Sequence, residues 1–201
     1  TYIQASTAVA LDNNVALSDF DLQAYGNGSG NWSGSTLTIQ RQGGASTDDL
    51  FSASGTLSLS EGNVVVSGTT IGTYTNSGGR LSMTFNTSAT TALVNSALQN
   101  IMYSNADTVS GHLGYNSVVL AYTFNDQNSN ATNGTAGTGQ DQGVGGYATA
   151  SGTITVNINR LPVVVNDTNS VAEGLATTDS TTISGNVLTG VGNTSNVGAD
   201  S

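Results

Sequence analysis

Short runs of alternating apolar and polar residues, separated by Gly, Asn and Ser, are the feature that most limits what this chain can fold into. Apolar side chains at every second position lie on one face of a β-strand, and the residues between them lie on the other. Gly, Asn and Ser between such runs are typical of turns in an all-β domain. The pattern predicts strands at 35–41, 56–60, 80–85, 117–124 and 151–159.

One segment, residues 89–104, has helical rather than strand spacing. Its apolar residues recur at intervals of three or four and form one stripe: Leu93, Val94, Ala97, Leu98 and Ile101. Such a stripe covers one face of an α-helix, and Thr90 or Thr91 is a suitable N-cap. We therefore expect one short helix that crosses between the layers of the β-sheets.

The single proline, Pro162, marks a predicted domain boundary. Proline restricts its own φ and pushes the preceding residue towards an extended conformation. We expect residues 1–161 to form one ligand-binding β-domain, and residues 162–201 to form a linker and the opening strands of a second module. Residues 125–146 are the longest stretch without a β pattern. Because long loops between strands commonly carry function, a binding site is expected there.

The charge composition argues against several classes of partner. The chain has 13 acidic residues, 3 arginines and no lysine, which gives a net charge of −10. Nucleic acids and anionic membrane surfaces are bound largely through Lys and Arg. No apolar run approaches the ~18 residues of a membrane-spanning helix. We therefore expect neither nucleic-acid binding nor membrane insertion.

Acidic residues lie close together at several points, without lysine to neutralise them. Like charges held close together cost stability, and Ca²⁺ prefers carboxylate, Asn and carbonyl oxygens as ligands. A small domain that lacks cysteine can be stapled by a metal instead of by disulfides. The predicted Ca²⁺ ligands in the β-domain are Asp19, Asp21, Asp48, Asp49, Asn125, Asp126 and Asp141.

Some of these candidates carry a further expectation. Asp48 and Asp49 are adjacent, and neighbouring strand residues face opposite ways, so at least one of the two is expected to face an ion. Asp141 lies in AGTGQDQGV, which partly matches the nonapeptide of calcium β-helices. Because only a single imperfect copy is present, we interpret Asp141 as a local ligand and not as part of a β-roll.

Three longer stretches follow one another in the order VALSDFDLQAYGNGSGNWSGSTLTIQRQGGASTDDLF, ATTALVNSALQNIMYSN and VVLAYTFND. Together they resemble a module repeated in very large bacterial surface adhesins of the RTX class, over roughly residues 9–160. The resemblance implies modules rigidified by calcium, secreted and displayed on the bacterial cell surface beside neighbouring modules of the same chain. The expected fold is therefore an all-β, calcium-stabilised β-sandwich with one short crossover helix.

The residues after the boundary, PVVVNDTNSVAEG and ISGNVLTG, resemble the start of the cadherin-like repeats of such adhesins. The resemblance implies interdomain calcium ligands at Asn166, Asp167 and Glu173, where an ion would stiffen the joint between modules. The alternative is a flexible polar linker.

The stretch GTAGTGQDQGVGGY is longer and richer in Gly and Gln than a plain repeat requires. RTX adhesins include a calcium-dependent domain of this size that binds the free C-termini of other cells' surface proteins, and the chain resembles it. In this hypothesis a bound Ca²⁺ keeps a coordination position for a terminal carboxylate, and glycine N–H groups surround the same carboxylate. The predicted ligand-binding residues are Gln140, Asp141, Gln142, Gly143, Gly145, Gly146 and Tyr147.

Two other binding functions stay open, and catalysis is not expected. A passive extender repeat would need calcium but no ligand, whereas a carbohydrate-binding adhesin module would use the same coordination position for a glycan. The chain has no cysteine, its one histidine is His112, and it contains no G-x-S-x-G, zinc or phosphate-loop motif. We therefore expect a non-enzymatic protein whose partner is a peptide or protein, or else a glycan, on another cell surface.

Overall fold

The structure, a computed structural model, describes the greater part of the β-domain. The described residues are 1–4, 6–19, 22–23, 27–107, 117–126 and 149–159. All of them belong to one compact unit of the chain, Thr1–Leu161. The expected linker and second module, residues 162–201, lie outside the described residues, so this part of the domain organisation stays a prediction.

The described residues form strands in two sheets and one α-helix. The elements are β1 (Tyr2–Ile3), β2 (Val9–Ala10), β3 (Thr36–Arg41), β4 (Asp49–Ala53), β5 (Leu57–Ser60), β6 (Asn63–Val66), β7 (Thr69–Ser77), β8 (Arg80–Phe85), α1 (Thr91–Gln99), β9 (Ile101–Asn105), β10 (Ser117–Asn125) and β11 (Thr149–Asn159). The larger sheet has the order β1-β11-β10-β3-β8-β7-β6-β5, and the smaller sheet has the order β2-β9-β4. The expected all-β sandwich with one short helix is confirmed.

The five strands expected from alternation correspond to β3, β5, β8, β10 and β11. In β8 the buried residues are Leu81, Met83 and Phe85, while the residues between them face outwards. Adjacent strands are antiparallel, apart from the parallel pair of β1 and β11. Antiparallel strands with one buried face produce this clean alternation of burial.

Aromatic rings pack against one another within the core. Trp32 and Phe124 meet edge to face with ring centroids 5.6 Å apart, and Phe85 lies 6.1 Å from Phe124. In a second group of rings, Tyr103 contacts both Phe51 and Tyr2. Burying one such large apolar side chain contributes roughly 1.5–3 kcal/mol to folding. These contacts therefore account for a substantial part of the stability of the sandwich.

Helix α1 begins where the sequence indicates and ends earlier. Thr90 is the N-cap, and its side chain accepts a hydrogen bond from the Leu93 N–H. The predicted segment 89–104 was too long, because α1 ends at Gln99 and Ile101 starts β9. As the central strand of the smaller sheet, β9 pairs on both sides, and this pairing replaces further helical hydrogen bonds. The expected crossover is confirmed, since α1 leads from β8 in one sheet to β9 in the other.

Candidate functional site

Buried polar side chains in the described residues fall into two groups at opposite ends of β3. The buried polar side chains are Gln4, Asn31, Ser35, Asp49, Asn105 and Asp126. Ser35 directly precedes β3, whereas Arg41 ends it. At about 3.3 Å per residue, the two ends of this six-residue strand are roughly 17 Å apart. We call Asn31, Ser35 and Asp126, together with Asn125 and Thr149, the Asp126 end. We call Gln4, Asp49 and Asn105, together with Arg41 and Tyr103, the Arg41 end.

At the Arg41 end, the Asp49 carboxylate is only 1% exposed and is surrounded by donors. Arg41 binds it with two nitrogens, Nε to Oδ2 at 2.9 Å and Nη2 to Oδ1 at 2.7 Å. Oδ1 also accepts hydrogen bonds from the Tyr103 hydroxyl at 2.7 Å and from the Asn105 amide at 3.2 Å. A bidentate pair with additional donors is the arrangement that makes a buried carboxylate tolerable.

The protonation states at this end follow from the same contacts. The hydrogen bond to Asp49 raises the pKa of Arg41 above its ordinary value, so the guanidinium stays charged. Burial raises the pKa of Tyr103 well above its usual value, and the hydrogen bond to Asp49 raises it further. Tyr103 is therefore a neutral donor at physiological pH. Asp49, predicted as a calcium ligand, has a structural role in which a protein cation balances its charge.

Asp48 has a different environment from Asp49. It is half-buried, and its carboxylate Oδ2 lies 3.4 Å from the Ser46 hydroxyl. Its backbone carbonyl accepts a hydrogen bond from the Ala106 N–H. The two adjacent acids thus differ in burial, as expected where a strand begins. Of the two, Asp48 is the better remaining candidate for a cation, since the hydrogen bonds to Asp49 already engage both of its carboxylate oxygens.

At the Asp126 end, strands β10 and β11 meet the segment that connects them. Their pairing ends at Asn125 and Thr149, and the Asn125 side-chain amide donates to the Thr149 hydroxyl at 2.9 Å. Asp126 is 3% exposed, and its backbone carbonyl accepts a hydrogen bond from the Ser35 hydroxyl at 3.1 Å. These residues border positions 127–148, which include all of the predicted ligand-binding residues. Positions 127–148 lie outside the described residues.

Asp19 is linked to the Asp126 end through a series of hydrogen bonds to the backbone. Its carboxylate accepts a hydrogen bond from the Leu22 N–H at 2.8 Å, and its carbonyl accepts one from Gln23. The Leu22 carbonyl in turn accepts a hydrogen bond from Asn31, which belongs to the Asp126 end. For the candidates in or beside the strands, the register places Asn125 and Asp126 at one end of β3 and Asp48 and Asp49 at the other.

The remaining predicted site residues are not described by the structure. They are Asp21, Gln140, Asp141, Gln142, Gly143, Gly145, Gly146, Tyr147, Asn166, Asp167 and Glu173. Their roles stay predictions.

The side-chain oxygen atoms at the Asp126 end are of the chemical kind that Ca²⁺ prefers as ligands. A carboxylate, two Asn side chains and two hydroxyls supply the hard oxygen atoms that Ca²⁺ prefers. Within the described residues, however, no group of three or more His, Cys, Asp or Glu side chains is placed to hold a metal ion. A calcium shell contains about 6–8 oxygens. Some ligands of an ion at this end would therefore have to come from residues outside the described ranges or from water.

Sequence reasoning missed several residues of both groups, including Asn31, Ser35, Thr149, Tyr103 and Asn105. Ser35 reaches Asp126 only through the pairing of β3 with β10, which places positions 91 residues apart in contact. Burial of Asn105 could have been suspected from the sequence, because this polar residue is in phase with the apolar Ile101 and Tyr103 of the same strand.

Comparisons of the chain with protein-family models, with curated proteins and with solved structures gave no match. Within the described part of the chain, no helix is long and apolar enough to cross a membrane. A function has to be inferred from the residues and contacts of the chain itself.

Proposed function

We propose that this chain is a calcium-dependent adhesion module of a large bacterial surface adhesin, exported to the cell surface, where it binds the C-terminal ends of proteins on partner cells. The observation that carries the proposal is the cluster of oxygen-bearing side chains at the Asp126 end, at the point where β10 leads into residues 127–148. It belongs to a chain with 13 acidic and 3 basic residues.

The charge balance supports a bound cation. The chain has ten more acidic than basic residues, so its arginines can balance only a minority of its carboxylates. One of the three arginines, Arg41, is paired with Asp49 at the opposite end of β3. A single Ca²⁺ ion brings two positive charges, and the Asp126 end offers the oxygen ligands that this ion prefers. Calcium is therefore the cofactor that we assign to this end of the domain.

Recognition of a chain end follows from the chemistry of the ion. A Ca²⁺ ion that keeps a coordination position open attracts a carboxylate, even in a protein with a net charge of −10. In the proposal Asp141 shares the ion, while Gln140, Gln142 and Tyr147 contact the last residues of the bound peptide. The N–H groups of Gly143, Gly145 and Gly146 surround the terminal carboxylate.

A test compares peptides that differ only in their last group. Short peptides with varied final residues are titrated into the full chain by calorimetry, each with a free C-terminal carboxylate and as the corresponding amide. We expect some free-acid peptides to bind in millimolar calcium and none to bind in chelator. Each amide should bind at least about tenfold more weakly, a difference of about 1.4 kcal/mol.

Two variants locate the site. Asp126→Asn should lower both calcium affinity and peptide affinity, because it removes the buried negative charge with little change in shape. Glu61→Gln is the matched control, since it removes an exposed carboxylate from the turn between β5 and β6. Equal binding of acids and amides, or unchanged calcium and peptide affinity in Asp126→Asn, would rule the proposal out. Calcium binding without binding of any peptide would instead indicate a passive extender.

A further inference from the structure

A second feature, which begins beside the Asp126 end at Phe124 and Ala150, is an apolar groove on the inner side of the larger sheet. It lies between residues 11–17 and the neighbouring strands β3, β10 and β11, and its volume is about 180 Å³. Its walls include Leu17, Ile39, Tyr122 and Ile154, and Asp12 is the one charged residue among the described residues that line it. We call this feature the Tyr122 groove.

The Tyr122 groove exists because the two sheets differ in width. The larger sheet has eight strands and the smaller sheet has three within the described residues. The edge strand of the smaller sheet towards this side, β2, consists of Val9–Ala10 alone. Residues 11–17 extend the cover beyond β2 as irregular chain, so the described residues close the apolar face of β10 and β11 only in part.

Contacts with helix α1 hold the outer wall of the groove in place. The Leu17 N–H donates to the Asn95 side-chain oxygen at 2.8 Å, and the Gln99 amide donates to the Val15 carbonyl at 2.8 Å. Asn95 and Gln99 both lie on α1, so two hydrogen bonds attach the wall segment to the helix. The groove is therefore formed before any ligand arrives, which lowers the ordering cost of binding.

Gly152 gives the Tyr122 ring its position. The two residues face each other across β10 and β11. A Cβ atom at position 152 would lie 2.7 Å from the Tyr122 hydroxyl oxygen and 2.9 Å from the adjacent ring carbon. Glycine therefore lets the ring lie against β11, whereas a larger residue would push it aside and change the groove.

The charge of the groove selects among apolar ligands. One oxygen of Asp12 accepts a hydrogen bond from the Asn14 N–H at 3.0 Å, and the other accepts none from the described residues. No arginine or histidine is among the lining residues that the structure describes. With a net charge of −10 on the chain, the groove disfavours anionic ligands such as fatty acids. An apolar group next to a cation is the complementary occupant.

The size of the groove sets the size of that apolar group. An apolar cavity of ~150 Å³ accommodates benzene, whereas drug-sized ligands occupy ~300–1,000 Å³. A volume of about 180 Å³ suits one large side chain. We propose that the Tyr122 groove binds a single large apolar side chain of a partner peptide, with a Lys or Arg of that peptide paired with Asp12.

This binding needs no calcium ion and no free carboxylate, so it is tested in the absence of both. The probes are doubly capped peptides in chelator: acetyl-Gly-Gly-Leu-Lys-Gly-Gly-amide, the same peptide with Glu in place of Lys, and the same peptide with Ala in place of Leu. They have no free carboxylate at the C-terminus and are titrated into the full chain by NMR. The Leu-Lys peptide should bind, and the other two should bind at least about tenfold more weakly, or about 1.4 kcal/mol less.

Two variants connect the binding to the groove. Asp12→Asn keeps an acceptor for Asn14 and should reduce the preference for Lys over Glu to within about twofold. Gly152→Val should abolish binding of the Leu-Lys peptide by displacing the Tyr122 ring. Residue 12 lies in the irregular segment outside the strands, so we expect Asp12→Asn to fold. If Gly152→Val does not fold, Asp12→Asn alone still tests the proposal.

Several results would overturn the inference. They are equal binding of the Lys and Glu peptides, an unchanged preference in Asp12→Asn, and a crystal structure in which the chain's own residues fill the groove. The absence of binding by any of the capped peptides would do the same. None of these results bears on calcium-dependent binding of free carboxylates, so the two proposals fail separately.

Discussion

Asp49 and Arg41 connect the two sheets of the sandwich through an ion pair. Arg41 ends β3 in the larger sheet, whereas Asp49 begins β4 in the smaller sheet. Tyr103 and Asn105, which also bind Asp49, lie on β9 of the smaller sheet. Removing the negative charge would leave the guanidinium without its carboxylate at the junction of the layers. This residue therefore contributes to how the sheets are held together.

We expect Asp49→Asn to lower the free energy of unfolding by about 3 kcal/mol, the lower part of the range for a broken buried ion pair, because the Arg41 side chain is 22% exposed. The matched control is Asp48→Asn, whose half-buried carboxylate has no arginine partner among the described contacts. Urea unfolding in chelator measures both, so that calcium plays no part. A loss in Asp49→Asn no larger than that in Asp48→Asn would refute this role.

At the scale of elements, the hairpin of β7 and β8 is held against the β3–β4 loop at a point of backbone contact. Gly78 and Gly79 form its two-residue turn with φ of 61° and 78°, as a type I′ turn requires. A Cβ atom at Gly79 would overlap the Ser46 carbonyl, whereas one at Gly78 would meet nothing within 4 Å. The second glycine is thus required for packing as well as for the turn.

Gly78→Ala should cost about 1 kcal/mol, the usual cost of placing a side chain at positive φ. Gly79→Ala should cost clearly more, because the Ser46 backbone must also move away. Thermal unfolding of the two variants under the same conditions measures the difference. Equal losses of stability would show that the approach of Ser46 to the hairpin is not a close contact in the folded protein.

Strict alternation made some elements predictable and left others hidden. β8 and β10 show alternating burial over most of their length, and both were recognised. β7 was missed because most of its nine residues are exposed, with burial confined to Ile71 and Gly72. For β9 the sequence pattern predicts helix, since Ile101 continues an apolar stripe with a spacing of four. Its strand conformation depends on partners in β2 and β4, which are distant in sequence.

At the scale of the whole molecule, antiparallel pairing decides which acidic residues lie together. β3 pairs with β10 so that Arg41 lies opposite Leu120 and Thr36 lies opposite Asn125. Asn125 and Asp126 therefore lie at the far end of β3 from Asp48 and Asp49. The sequence alone indicates which positions carry oxygen ligands, but which of these positions lie close together depends on the strand register. The role of Arg41 was likewise invisible, because its contact with Asp49 crosses between sheets.

In the proposed function, bound calcium stabilises the domain at the Asp126 end. Trp32, the single tryptophan, is buried there against Phe124, so its fluorescence reports unfolding of this region. A ligand at 100 times its Kd adds about 2.7 kcal/mol of stability. For a chain of this size, that corresponds to a rise in Tm of roughly 5–10 °C.

The most direct measurement is the Tm of the full chain, followed by Trp32 fluorescence, in millimolar calcium and in chelator. Magnesium at the same concentration serves as the control ion, because it is smaller and demands stricter octahedral geometry. We expect a Tm higher by roughly 5–10 °C in calcium, little change in magnesium, and a reduced calcium effect in Asp126→Asn. The same Tm in calcium and in chelator would contradict the account.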